Sequence, residues 1–349
     1  MRYFPALTGV RGVASLWVFL FHAFMNYSVP FIDKGHLGVD LFFVLSGFII
    51  SHIHASDFQH GISWLRFKQF MALRVSRIYP LHLLTLLGLL IIVLLVPQFL
   101  ERYKAAPFSA FNFVGNIFLV HTWLTPFIPF EMRGPGWSWN APAWSLSAEW
   151  LMYFLFPAIA FALGRLQKTT SLLMLGLFCL AIYAFLEVLG IGMAGLPRAG
   201  TEFVAGCTLH FALNHRHEKW QNWNFVAWLA LIAILLASTV NGLMILAPVA
   251  FFALIPAIAF GEGWITRLLS CRASIWLGEI SLALYLIHWP ILQLQQLLLP
   301  MDWIGSPVMA VAYTAFLAGI VGASFLVYRY FELPMRNVCR NWLKPRINK

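Results

Sequence analysis

Residues 8–51 read TGVRGVASLWVFLFHAFMNYSVPFIDKGHLGVDLFFVLSGFIIS, two apolar arms around a short polar break. Each arm is about twenty residues long, enough to cross a bilayer as a helix. The pair nevertheless carries Arg11, His22 and Asp40. Ionisable groups at membrane depth are costly, and where they occur they point to function. Arg11 and His22 are eleven residues apart, so at about 100° per residue they share one helical face, roughly 16 Å apart along the axis. His22 and Asp40 are each nine residues from Phe31. A hairpin folded about Phe31 would set them at one depth, a histidine beside a carboxylate with an arginine below.

The rest of the chain agrees with this reading of the class. Of 349 residues, 61% are hydrophobic and only 10% charged, with mean hydropathy +0.78. That composition excludes a soluble domain and predicts an all-α polytopic membrane bundle, a single integral-membrane domain over 1–349. The net charge of +10 is read as the positive-inside bias rather than as nucleic-acid binding, because there is no basic run. Cys179, Cys207, Cys271 and Cys339 are scattered singly. Neither a disulfide framework nor a metal site is expected from them, and no histidine pair has a trustworthy helical metal spacing. The first apolar segment has no clear cleavage site and holds Arg11 and His22, so it is not read as a signal peptide.

The apolar segments run 7–27, 36–54, 79–97, 110–128, 142–164, 170–189, 197–213, 223–239, 241–260, 274–298 and 308–331. If 110–128 does not cross and the N-terminus is cytoplasmic, 17 Lys and Arg lie inside and 5 outside, with Lys34, Arg102, Lys104, Arg133 and Arg198 as the outer ones. If it crosses, the count becomes 7 against 15. The orientation rule therefore predicts about ten transmembrane helices, both termini cytoplasmic, and 110–128 re-entrant or interfacial.

Four further stretches could carry chemistry. In FKQFMALRVSRIYP (67–80), Arg74 and Arg77 are one turn apart if the piece is helical, and Pro80 suits the first turn of the next span. They could anchor to anionic headgroups, or present guanidinium forks to the phosphates of a cytoplasmic ligand, with Arg11 entering from the same side. In WSWNAPAWSLSAEWLMYFLFP (137–157), aromatic belts explain the tryptophans, but not Glu149, about 10 Å into a span and near Ser145 and Ser147. A structural pairing with an arginine is the alternative. In SLALYLIHWPI (281–291), His288 precedes a helix-weakening Pro290. It is either a packed, bonded residue or part of a site, since His22, Asp40, Glu149 and His288 fall at similar expected depth. Glu332, near the end of the last span, is read as structural, paired with Arg336 or bracing the arginines of the first inner loop.

Arg11-x10-His22, GVDLFFVLSGFII (38–50), RVSRIYP (74–80), WSLSAEW (144–150), SLALYLIHWP (281–290) and FELPMR (331–336) together resemble the acyltransferase family 3 of integral-membrane O-acyltransferases, in that family's order and along the whole chain. The resemblance implies an acyl-CoA donor, usually acetyl-CoA, drawn from the cytoplasm, with no bound cofactor. It implies transfer to a hydroxyl of a cell-surface polysaccharide or its lipid-linked precursor, by an enzyme of the plasma (inner) membrane. As the sequence ends after the last span, it resembles the branch without an appended SGNH domain. On this reading Arg74, Arg77 and Arg11 bind the CoA phosphates. His22 is the general base or a transient acyl carrier, Asp40 orients it, and Glu149, Ser147 and His288 serve catalysis and the acceptor. A transporter or flippase of an anionic or sugar-linked lipid is the competing class, because it too needs buried charge and a polar path.

Overall fold

The computed structural model describes residues 3–25, 27–96, 98, 110–124, 138–189, 195–214, 222–240, 242–298 and 307–347. Among them the regular structure is helical. The elements are α1 (Pro5–Ala23), α2 (Leu37–Phe58), α3 (Trp64–Leu95), α4 (Ala110–Ile117), α5 (His121–Leu124), α6 (Trp144–Leu163), α7 (Thr169–Val188), α8 (Gly195–Asn214), α9 (Trp223–Thr239), α10 (Ala247–Phe260), α11 (Trp264–Leu269), α12 (Arg272–Glu279), α13 (Ser281–Leu298), α14 (Pro307–Val327) and α15 (Leu333–Ile347). A π-helical turn, Tyr328–Glu332, joins the last two.

Six helical stretches are long and apolar enough to cross a membrane, and a seventh if α12 and α13 form one broken span. The shorter α9 and the Met244–Phe260 stretch are apolar as well. α8 has the length for a span, but Arg198, Glu202, Thr208 and His210 make it more polar. All ten segments expected to cross are thus helical. The eleventh, of which 125–128 lie outside the described residues, is not one helix over 110–124. α4 and α5 are separated at Leu119, whose φ is +56°, and the eight residues of α4 reach only about 12 Å, well short of a ~30 Å hydrocarbon core. The outer faces are apolar: Leu84, Leu87, Ile91 and Leu94 line one exposed stripe of α3, and Met174, Leu177, Phe178 and Phe185 are exposed on α7. In water such faces would be a liability; in lipid they are the matched surface.

α3 departs from expectation. It is one helix of 32 residues with Pro80 in its interior, rather than a basic segment followed by a span that starts near Pro80. At about 48 Å it outruns the hydrocarbon core, so its N-terminal part, with Arg66, Lys68, Arg74 and Arg77, can extend beyond it.

The chain divides into two compact units, Met1–Met71 with Leu151–Glu279, and Ala72–Trp150 with Ile280–Lys349. In the first, α1 and α2 form the expected hairpin, and α2 packs on α8 through two glycines. A Cβ on Gly47 would stand 2.0 Å from the Phe203 carbonyl oxygen, and one on Gly206 would stand 2.0 Å from that of Val44. Only bare Cα atoms allow backbones this close, a device of membrane helix packing. α1 meets α12 in the same way, with Gly12 against Gly278. In the second unit α6 and α13 are joined by polar contacts described below.

Candidate functional site

The hairpin register decides where its ionisable groups lie. Gly35 packs on the Trp17 carbonyl and Phe21, and Gly38 packs on the Ala14 carbonyl and Val18. Trp17 Nε1 donates to the Phe31 carbonyl at 2.9 Å, and the two rings stack. The Phe21 ring stands 5.6 Å from that of His36. This register puts His22, half-buried, level with the 32–36 connection, and Asp40 about eight residues, or roughly 12 Å, further down the pair. The expected juxtaposition of His22 and Asp40 is therefore corrected. Its premise, a fold symmetric about Phe31, fails because Ile32–Lys34 form a 3₁₀ turn that carries the chain back along α1 before α2 begins.

Asp40 has another partner. It is fully buried, and its Oδ1 accepts from Arg198 Nε at 2.5 Å. Arg198 Nη2 also donates to the His36 carbonyl at 3.2 Å. Arg198 had been counted as an outer-side charge; it lies in α8 and is only 5% exposed. One turn on, Glu202 is fully buried on the same helix. The sequence did hold a signal for both: an Arg and a Glu at i, i+4 inside an apolar segment, a pair that is costly in lipid unless it is used.

Arg11 is half-buried on α1, and its Nη2 donates to the Gly278 carbonyl at 2.7 Å. That carbonyl belongs to the last turn of α12, where a cation is favoured.

The second unit holds Arg74, Arg77, Ser147, Glu149, His288 and Glu332. Arg74 and Arg77 lie on α3 a turn apart. Arg74 is 7% exposed, whereas an arginine serving only lipid headgroups would be open to water. Ser147 is occupied by the protein itself: its Oγ donates to the Leu119 carbonyl at 2.7 Å and accepts from the Thr122 amide at 3.1 Å. It braces the left-handed turn between α4 and α5, which the sequence alone did not show.

Sequence reasoning also missed Asn140 and Tyr285. Pro290 has no N–H for the Leu286 carbonyl, one turn back in α13; Asn140 Nδ2 donates to that oxygen at 2.8 Å and repairs the break. Tyr285 Oη donates to the Pro142 carbonyl at 3.0 Å and lies 2.7 Å from Ser145 Oγ. These bonds tie residues 140–145, at the start of α6, to Tyr285 and Leu286 of α13. His288 is fully buried, and its Nδ1 donates to the Leu284 carbonyl at 2.7 Å; Glu149 is half-buried. Glu332 is buried in the π-helical turn. Among the described residues no cluster of His, Cys, Asp and Glu could hold a metal ion.

These features define a class: a multi-pass helical membrane protein with acid, base and guanidinium groups built into its helices. Residues 4–329 match the acyltransferase domain family Acyl_transf_3, and the chain belongs to that family. Among known proteins it is 24% identical to the peptidoglycan O-acetyltransferase OatA of Listeria monocytogenes, over 96% of this chain and 56% of that protein. It is 27% identical to the putative peptidoglycan O-acetyltransferase YrhL of Bacillus subtilis, over 96% and 55%. It is 22% identical to the putative O-acetyltransferase SACOL0978 of Staphylococcus aureus, over 96% and 58%. The chain thus spans little more than half the length of these relatives. No solved structure matches it.

Proposed function

We propose that this protein is a membrane O-acyltransferase that moves an acyl group, acetyl in the simplest case, from cytoplasmic acyl-CoA to a hydroxyl of a cell-envelope glycan or its lipid-linked precursor. The observation that carries the reading is the family match over nearly the whole chain, with Arg11 and His22 on one face of α1. The names of two relatives make peptidoglycan the first acceptor to try.

In this reading His22 is the base. A neutral imidazole is cheap to bury and is basic near the working pH. In direct transfer it takes the acceptor hydroxyl's proton as the alkoxide attacks the thioester carbonyl. The C–S bond breaks, and the proton leaves with the CoA thiolate. In a two-step version His22 nitrogen attacks the thioester, CoA departs as the thiol, and the acceptor then displaces the imidazole. Arg74 and Arg77 meet the CoA phosphates as charge-assisted forks. Arg11 is already bonded to Gly278, which fixes its guanidinium for a supporting part. Glu149 and His288 serve the acceptor side, and Ser147 holds the turn at Leu119. Asp40 acts through Arg198 as a positioning residue.

The test is acetyl-CoA consumption by the purified chain, wild type against His22→Ala, with acetyl-CoA binding measured on both. Free CoA from wild type, and at least a hundredfold less from a variant that still binds the donor, is the expected result. A wild type that neither binds nor consumes acetyl-CoA overturns the proposal and favours a transporter of lipid-linked sugars.

A further inference from the structure

The second unit holds two buried hydrogen-bond acceptors whose orientation the fold fixes and whose capacity it does not use. His82 of α3 is 1% exposed, and its Nε2 lies 2.7 Å from the Asn116 carbonyl oxygen in the last turn of α4. A carbonyl only accepts, so Nε2 carries the hydrogen. Among the described residues no carboxylate bonds to this ring, and an unpaired charge is costly at such depth. The imidazole is therefore neutral, with its lone pair on Nδ1. Asn140 is also 1% exposed, and its amide is oriented by the same logic: Nδ2 donates to the Leu286 carbonyl at 2.8 Å, which leaves Oδ1 as the acceptor. Neither His82 Nδ1 nor Asn140 Oδ1 has a hydrogen-bond partner among the described residues.

One bonded frame carries both atoms. The Asn116 side chain is saturated: Nδ2 donates to the Asn112 carbonyl at 2.8 Å, and Oδ1 accepts from Ser138 Oγ at 2.9 Å. Ser138 is two residues before Asn140. Tyr79, one turn before His82, donates to the Ile117 carbonyl. His82 and Asn140 are thus linked through Asn116 and Ser138 inside one compact unit, and Leu286 is two residues from His288 on α13. Buried acceptors are ordinarily bonded, so two held open in a rigid frame call for a ligand. The side chains of the frame carry no formal charge, and among the described residues no cluster of His, Cys, Asp and Glu could hold a metal ion. Acceptors alone select a neutral donor. Hydroxyl groups are such donors, and lipid tails have none.

We propose that His82 Nδ1 and Asn140 Oδ1 accept hydrogen bonds from hydroxyls of a neutral sugar, and that this frame holds the glycan acceptor. The role of the sugar as acceptor rests on the acyltransferase reading; its binding does not. The test is calorimetric binding of neutral tetrasaccharides of N-acetylglucosamine, glucose and galactose to the purified chain in lipid nanodiscs, free of sugar-headed detergent. Wild type is expected to bind at least one of them. His82→Gln keeps a donor for the Asn116 carbonyl but removes the Nδ1 acceptor, and is expected to bind that sugar about five- to tenfold more weakly. Asn140→Ala, made in a Pro290→Ala background so that a restored N–H takes the Leu286 carbonyl, is expected to show a similar loss against Pro290→Ala alone. Tyr79→Phe removes a bond of the frame but no sugar contact; it is expected to lower the unfolding midpoint and leave sugar affinity within about twofold. Acetyl-CoA binding is expected to be unchanged in all of them. A wild type that binds none of the sugars, a His82→Gln variant with wild-type affinity, or an equal loss in Tyr79→Phe overturns the site. Sugar binding without acetyl-CoA binding refutes the acyltransferase reading and leaves the sugar site standing; acetyl-CoA turnover without sugar binding does the reverse.

Discussion

Replacing Gly206 by alanine tests the contact that sets the buried cluster. The added Cβ would sit 2.0 Å from the Val44 carbonyl oxygen and 2.9 Å from the Phe48 nitrogen. Both are backbone atoms, so no side chain can swing aside. A carbon-to-oxygen contact needs about 3.3 Å, so α2 and α8 must part by about 1.3 Å. Moved as rigid helices, they would stretch the 2.5 Å Asp40–Arg198 contact to about 3.8 Å, beyond a hydrogen bond. Overpacking alone costs about 1–3 kcal/mol, and part of the buried ion-pair loss adds to it. We expect about 3 kcal/mol, read as a lower midpoint in detergent-denaturant titration and in thermal unfolding. Gly47→Ala meets the Phe203 carbonyl at the same 2.0 Å. The double variant is expected to cost less than the sum, because one separation relieves both clashes. Gly319 is the control: on α14, a Cβ there meets nothing within 4 Å, so Gly319→Ala is expected to be neutral or stabilising by up to about 1 kcal/mol. A Gly206→Ala variant within about 0.5 kcal/mol of wild type would refute the close approach and the placement of Asp40 built on it.

Other outcomes follow from single contacts. Asn140→Ala is expected to cost about 1–2 kcal/mol by orphaning the Leu286 carbonyl, and much less in a Pro290→Ala background, where a restored N–H takes that carbonyl; equal costs in both backgrounds would break the link. Ser147→Ala is expected to lose about 1–2 kcal/mol of stability with KM for acetyl-CoA unchanged; a raised KM and unchanged stability would return Ser147 to the binding site. Cys271 is exposed between α11 and α12, and the Ser274 hydroxyl beside it holds its thiol below the ordinary range. A lowered value means more thiolate at neutral pH, so maleimide should label Cys271 faster than a free cysteine, with the rate levelling at lower pH. In a Cys339→Ser background, labelling by an impermeant reagent from the cytoplasmic face alone would agree with the predicted orientation, and labelling from the outer face alone would reverse it.

The helices were legible because lipid leaves the backbone few choices. A polar group that cannot reach water must bond within its own helix, so runs such as 36–54 and 170–189 announce themselves by composition. Charge gave the expectation that 110–128 does not cross, but not the break at Leu119, where a left-handed φ of +56° ends the helix. Site residues were legible by type: Arg11, His22 and Glu149 stand out as ionisable groups inside apolar runs. Their partners were not. Arg198 was read as an outer charge, and Glu202 drew no notice, because nothing local says that α8 packs on α2 across 158 residues.

What the sequence determined by itself is therefore the class and the family: an all-helical membrane chain with motifs in the order of the acyltransferase 3 family. Only the tertiary structure decided which groups meet. It slid the α1–α2 register so that Asp40 lies below His22, gave Asp40 to Arg198, spent Ser147 on the turn at Leu119, and set Asn140 on the carbonyl freed by Pro290. The physical reason is range. Hydropathy and backbone satisfaction act within a segment, whereas glycine contacts, a 3₁₀ turn and a buried ion pair depend on atoms brought together from distant parts of the chain.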